Sequence, residues 1–223
     1  LADTGTTGRV IDSYLKNLVY QDDAFSRLQE PEGCYQAMDE IAGGVPPGSQ
    51  GVLLMPYFMG SLAPSEDPTM RGGFLNISNT TTRAHLTRAL LEGIAFNWRW
   101  LREAAEAMVR HKFRSWRLSG GGALSPVWCQ IMADVMGIPM LQQSDPRNNN
   151  VLGIGMLAFN RLGYLPLEEI PAKVEISRVF EPHGENRDIY EFMYQQFRAS
   201  YKRLQPVYRA LNRPKIKEVP YGK

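Results

Sequence analysis

Residues 116–134 join a short apolar strand to an amphipathic helix through three consecutive glycines, Gly120, Gly121 and Gly122. This junction restricts the fold more than any other stretch of the chain. A strand that ends in a side-chain-free turn and continues as a helix is half of a β–α unit, and such units stack into layered α/β domains. Glycine has no Cβ, so the backbone can take φ > 0 and a flat ligand or a phosphate can approach its N–H groups closely. A nucleotide seat is one use of the junction. A tight turn that merely needs glycine is the other.

The segments around the junction alternate as an α/β layer requires: strand 116–118, helix 126–136, strand 139–142 and helix 150–162. Upstream, Leu86, Ala89, Leu90, Gly93, Ile94, Phe96, Trp100 and Leu101 recur with a 3.6-residue period. They predict a long, largely buried helix over 82–109. Residues 9–20, with Val10, Tyr14, Leu15, Leu18 and Val19 at helical spacing, predict a helix starting near Thr7. A second helix is expected over 31–42, before the turn Gly43-Gly44-Val45-Pro46-Pro47-Gly48. Val52 to Met55 reads as a buried strand, 59–71 as a loop containing Pro64 and Pro68, and 72–77 as another strand. The stripe Ile189, Phe192, Met193, Phe197, Tyr201, Leu204 and Tyr208 predicts a closing helix over 187–211. The chain thus divides into a helical opening segment (1–50), an α/β core (51–180) and a closing helix with its tail (181–223).

Charge excludes some partners. The net charge of +2 arises from 25 basic and 23 acidic residues spread along the chain, which offers nucleic acid or an anionic membrane no favourable field. No apolar run reaches the ~18 residues of a membrane span. Cys34 and Cys129 lie far apart without metal-ligand or Cys-x-x-Cys spacing, and nothing at the N-terminus resembles a signal peptide. A cytoplasmic location is expected. His85, His111 and His183 form no metal constellation; His85 is expected at a helix start and the other two in solvent.

Several segments, in order, resemble the C-terminal domain of the FGGY carbohydrate kinases, the family of xylulokinase and glycerol kinase, with the xylulokinase branch the nearer. The run Leu54-Met55-Pro56-Tyr57-Phe58-Met59-Gly60-Ser61-Leu62-Ala63-Pro64, then Asp67-Pro68-Thr69-Met70-Arg71-Gly72, is similar to the family's strand-loop pattern. A second signature is carried by residues 72–77 and 85–92, with Asn76 where a Gly is usual. Ser119-Gly120-Gly121-Gly122-Ala123-Leu124-Ser125-Pro126-Val127-Trp128 resembles the adenine-nucleotide loop nearly residue for residue. The tail Phe180-Glu181-Pro182, with Glu185-Asn186-Arg187 and the Tyr190 helix, is similar to the family's closing helix.

The resemblance implies a ribonuclease-H-like, actin-like ATPase fold, with one mixed sheet and helices on both faces. It implies that Gly120, Gly121, Gly122 and Ala123 lie against the adenosine and the α-phosphate of ATP or ADP, with the next helix N-terminus adding a favourable dipole. Residues near Thr7, Gly8 and Ser13 resemble the other wall of the adenine slot. Asn148, Asn149 and Asn150 stand where the family has a small-residue helix, and are expected to cap a helix start or to alter a nucleotide contact.

In the family, an N-terminal domain supplies the sugar site, the first phosphate loop and a catalytic aspartate. No segment here corresponds to them. The implied activity is transfer of the ATP γ-phosphate to a hydroxyl of a xylulose-like ketose or polyol with Mg²⁺, with no catalytic or metal-ligating residue in this chain and none of the reaction by the chain alone. A lobe without its partner would expose an apolar face, and a homodimer is one outcome. Two other readings stand beside this one: a non-catalytic scaffold that keeps the fold, and a hydrolase for which nothing here orients water.

Single polar residues have double readings. Asp67 and Arg71 are either cleft-facing site residues or a loop ion pair and turn cap. Glu92 reads as a helix-surface or partner-lobe contact rather than an acid catalyst. Trp98, Trp100, Trp116 and Trp128 read as core or domain-contact residues rather than base-stacking platforms.

Overall fold

Helix α3 (Arg83–Val109) is the axis on which the other elements pack. Its first turn is fixed by Thr82, whose backbone N–H donates to His85 Nδ1 at 3.0 Å, so His85 does mark a helix start. Leu90, Leu91, Ala95 and Phe96 from its periodic stripe are wholly enclosed. Each of the two leucines and Phe96 contributes about 1.5–3 kcal/mol by leaving water. The computed structural model describes residues 7–20 and 33–212. Residues 31–32 of the second expected helix, the first six residues and the tail beyond 212 lie outside it.

The described order is α1 (Thr7–Tyr14), α2 (Cys34–Gly43), β1 (Leu53–Met55), β2 (Gly73–Leu75), α3, β3 (Trp116–Leu118), α4 (Pro126–Met136), β4 (Met140–Gln143), α5 (Asn149–Arg161), β5 (Ile176–Phe180) and α6 (Arg187–Asn212). β3 and α4 have the bounds their sequence predicts, because the glycines and Pro126 punctuate both sharply. Beyond α1 the helix loosens into a π-turn over Leu15–Val19.

Two sheets form where one was expected. β1 and β2 make a separate antiparallel ribbon, Leu54 opposite Phe74. The other sheet is mixed, in the order β3-β4-β5, with β3 and β4 parallel and β4 and β5 antiparallel. Trp116, Met140 and Phe180 share a register row, and Met140 and Phe180 are buried on the face that α4 covers. Arg117, Leu141 and Val179 form the row on the opposite face, where Arg117 and Val179 are exposed. The mixed α/β class therefore holds, with one face of its sheet only partly covered.

α6 seals the core from the side. Its Tyr190, Tyr194 and Phe197 rings stand 5.8–6.3 Å from the Phe96 ring. Beneath them lies a buried polar knot. Glu92 Oε1 accepts from Arg88 Nε at 2.8 Å, from the Gly48 N–H at 2.9 Å and from the Tyr190 hydroxyl at 2.9 Å, while Oε2 accepts from the Ser49 hydroxyl at 2.8 Å. Arg88 also donates to the Ala42 carbonyl and to the Tyr190 oxygen. Glu92 is thus neither a helix-surface group nor a partner-lobe contact: it is 1% exposed and joins three parts of the fold. Burial and then the nearby Glu92 charge push the Tyr190 hydroxyl far above its ordinary range, so it stays a donor.

That knot holds an unusual turn. Gly48, Ser49, Gln50 and Gly51 all have positive φ, between 50° and 83°. For Ser49 and Gln50 this costs about 1–2 kcal/mol each. Glu92 grips the start of the turn, and Asn76 Nδ2 donates to the Gly51 carbonyl at 3.1 Å at its end. Asn76 itself has φ 63°. The departure from glycine at this position has a physical reason: the site requires left-handed backbone, which Asn tolerates better than other side-chain-bearing residues.

Candidate nucleotide site

β3 ends at Leu118, and two residues on stands Gly120, whose φ 84° and ψ 178° are accessible in practice only to glycine. Its N–H donates to the Pro146 carbonyl at 2.6 Å, which pins the strand end against the loop leading into α5. A 3₁₀ turn follows over Gly121–Leu124, then Ser125 and α4. The first N–H groups of such a turn, those of Gly121 and Gly122, have no acceptor within it. They are the donors that this loop can offer an anion.

The four residues expected to touch the nucleotide divide by role. A Cβ added at Gly120 or Gly121 would meet nothing within 4 Å, so an incoming ring or phosphate has open approach there. A Cβ at Gly122 would collide with the Trp128 ring, so packing explains that glycine. Ala123 faces inward: it is buried, its N–H donates to the Gly120 carbonyl at 3.1 Å, and its carbonyl accepts from Gln142 Nε2 at 2.5 Å. Its part is to hold the shape of the turn.

Ser125 ties the turn to two helices. Its Oγ accepts the Trp128 N–H at 2.9 Å, capping α4 behind Pro126, and its hydroxyl donates to Asp39 Oδ1 of α2 at 2.7 Å. Burial raises the Asp39 carboxyl above its usual range, a rise that the Ser125 bond only partly offsets. Cys129, one turn into α4, has its thiol pushed up to about 11 by burial and then by the Asp39 charge. It stays protonated and is no nucleophile.

Gly8 and Ser13 lie on α1. Five residues apart, they stand about 140° from each other around the helix, so they do not share a face; Asp12 shares that of Gly8. Asp12 Oδ1 accepts the Tyr35 hydroxyl at 2.8 Å. Tyr35 and Asp39 are one turn apart on α2, so this helix face runs from α1 to the cap of α4. A second link joins Trp98 Nε1 to Thr7 Oγ1 at 3.2 Å, with Trp98 edge-on to Trp116 at the start of β3. Sequence reasoning missed Asp12, Tyr35 and Asp39, whose partners lie 23 and 86 residues away. The i,i+4 pair of polar residues on α2 was the only available signal.

The asparagines before α5 do not cap it as expected. Asn148 is the N-cap, but its side chain donates to Asp145 Oδ2 at 2.9 Å and makes no cap bond. Asp67 and Arg71 are structural. Asp67 Oδ1 accepts from the Thr69 N–H, and Oδ2 accepts from Gln205 at 2.8 Å and Arg209 at 3.2 Å of α6. Burial pushes this carboxyl up, yet the bonds from Thr69, Gln205 and Arg209 outweigh it and hold it at about 2. Arg71 donates to the Pro68 and Met70 carbonyls.

Comparison with known proteins gives this geometry its context. Over 194 residues the chain is 30% identical to a xylulose kinase of Staphylococcus epidermidis, covering 85% of this chain and 36% of that one. It is 31% identical to a glycerol kinase of Trichlorobacter lovleyi over 77% of this chain and 35% of the relative. The crystal structure of xylulose kinase from Rhodospirillum rubrum superposes with a TM-score of 0.72 at 28% identity, covering 93% of this chain and 39% of the other. The chain therefore spans little more than a third of the length of these relatives. Residues 5–161 match the FGGY family of carbohydrate kinases, C-terminal domain, and to that family the chain belongs.

Proposed function

We propose that this chain is the nucleotide-side lobe of an ATP-dependent sugar kinase that passes the γ-phosphate of ATP to a hydroxyl of a xylulose-like ketose or polyol. The observation that carries the reading is the open floor at Gly120 and Gly121, with the first N–H groups of the turn and the N-terminus of α4 behind it. Backbone donors and a helix dipole suit a phosphate and require no charged side chain. Gly120 and Gly121 admit the nucleotide; Gly122, Ala123 and Ser125 keep the turn rigid beneath it. Gly8 and Asp12 form the opposing wall, with Asp12 held by the Tyr35 hydroxyl.

Mg²⁺ would supply charge neutralisation on the nucleotide phosphates when bound. Among the described residues no group of three or more His, Cys, Asp or Glu side chains could hold a metal ion. The described residues thus offer the ion no site of their own. The sugar, and the base that takes its proton, belong in this reading to a lobe outside the chain, so the chain alone binds nucleotide weakly and transfers nothing. Among the described residues no helix is long and apolar enough to cross a membrane.

Calorimetric titration with ATP and ADP tests the reading. Heat of binding that disappears in Gly121→Val, with unchanged circular dichroism, supports it. No heat at millimolar nucleotide removes it and favours a scaffold.

A further inference from the structure

We propose that Gln142 is a positioning residue for the nucleotide: from β4 it holds the underside of the glycine turn, and without it the outward N–H groups of that turn lose their aim. This role rests on the nucleotide reading of the turn and adds to it a residue from the neighbouring strand.

Gln142 stands where the pattern of β4 calls for an apolar side chain. Residues two apart on a strand share a face, so Gln142 lies on the face of Met140, which α4 covers. Met140 is buried and Gln142 half-buried. A polar group on a covered face needs a partner. Gln142 Nε2 donates to the Ala123 carbonyl at 2.5 Å, an oxygen that also accepts the weaker thiol donor of Cys129 at 3.4 Å.

A β-bulge sits directly opposite this residue. Leu141 and Gln142 pair with Val179 and Arg178, but Gln143 pairs with Ile176, so Ser177 is the extra residue on β5. The Ser177 hydroxyl lies 3.3 Å from both the Gln142 and the Gln143 carbonyls and donates between them. The backbone of Gln142 is thus fixed from β5 while its side chain reaches the turn. Four residues on, the Pro146 carbonyl accepts the Gly120 N–H at 2.6 Å. The stretch 142–146 therefore grips the turn twice, at the Ala123 carbonyl and at the Gly120 N–H.

In a helical turn the N–H groups point to one end and the carbonyls to the other. Fixing the Ala123 carbonyl therefore sets the direction of the Gly121 and Gly122 N–H groups. Open space surrounds the Cβ positions of Gly120 and Gly121, so hydrogen bonds rather than packing must hold that part of the turn. A seat that faces its ligand only part of the time binds with an affinity reduced by that fraction.

ADP is titrated into the isotope-labelled chain while the amide signals of Gly121 and Gly122 are followed by NMR. Gln142→Leu keeps the bulk and removes the donor; its dissociation constant is expected to rise about three- to tenfold, the worth of one neutral hydrogen bond. Should that variant not fold, Gln142→Asn, one methylene short of the carbonyl, carries the same expectation. Gln142→Glu separates the hydrogen bond from the packing, because a carboxylate cannot donate and a carboxylic acid can. Its dissociation constant, divided by that of the parent at the same pH, is expected to be about threefold or more near pH 7.5 and to fall as the pH is lowered to about 4.5. A merely structural side chain would move the melting temperature and leave this ratio flat. A parent chain that shows no response to millimolar ADP overturns the nucleotide reading and this role with it. A parent that responds, beside a Gln142→Leu with the same dissociation constant or a Gln142→Glu ratio that does not fall with pH, overturns this role alone.

Discussion

The hydroxyl of Ser125 and the carboxylate of Asp39 meet at 2.7 Å, and through this bond α2 holds the N-terminus of α4. The same oxygen of Ser125 caps α4, so one side chain serves both contacts. Ser125→Ala removes the cap and leaves Asp39 without its donor. It is expected to lower stability by about 1–2 kcal/mol, measured by urea unfolding.

Asp39 also gives a pH signature. Its carboxyl is raised in the folded state, so folding favours the protonated form and stability falls as pH rises from about 4 through the folded value. Asp39→Asn escapes that loss. Its melting temperature should exceed that of the parent at pH 7, and the two should converge as pH falls toward 4.

The glycines should separate in mutagenesis. Gly122→Ala drives a methyl into the Trp128 ring and is expected to destabilise by about 1–3 kcal/mol. Gly120→Ala forces an alanine into glycine-only backbone at a similar cost. Gly121→Ala meets open space and should leave the melting temperature within a degree or two while weakening nucleotide binding. Thermal scans with and without ADP read both effects.

Asp67 works in the opposite pH direction. Held at about 2, below its unfolded value, it contributes stability that is complete above about pH 4 and is lost as pH falls from there toward 2. Asp67→Asn should flatten the acid limb of the stability curve and free the 61–70 loop from α6. Acid titration followed by tyrosine and tryptophan fluorescence checks it.

Glu92→Gln tests the buried knot. The change leaves Arg88 charged and enclosed without its anion, and about 3–5 kcal/mol of destabilisation is expected in urea.

Periodicity and punctuation made much of this fold legible. α3 announced itself through eight apolar residues with one period, and β3 and α4 through three glycines and a proline. β5 was not legible, because Ile176-Ser177-Arg178-Val179-Phe180 is a short edge strand with polar residues at its centre. The separation of β1–β2 from the other sheet was hidden too, since a strand's pattern reports its burial and not its neighbour. At the site, the three glycines alone left a plain tight turn as an open reading, and the resemblance of residues 119–128 to the family's nucleotide loop pointed further. Asp12, Tyr35 and Asp39 were not legible, because a polar residue on a helix looks alike whether it faces solvent or a partner remote in sequence.

The family model matches residues 5–161, whereas Tyr190 closes the hydrogen bonds of Glu92 and Arg88 from 98 and 102 positions further along. A polypeptide cut at residue 161 would keep the nucleotide loop and lose the keystone of its interior, so the last helix must be inherited together with that loop or neither will stand.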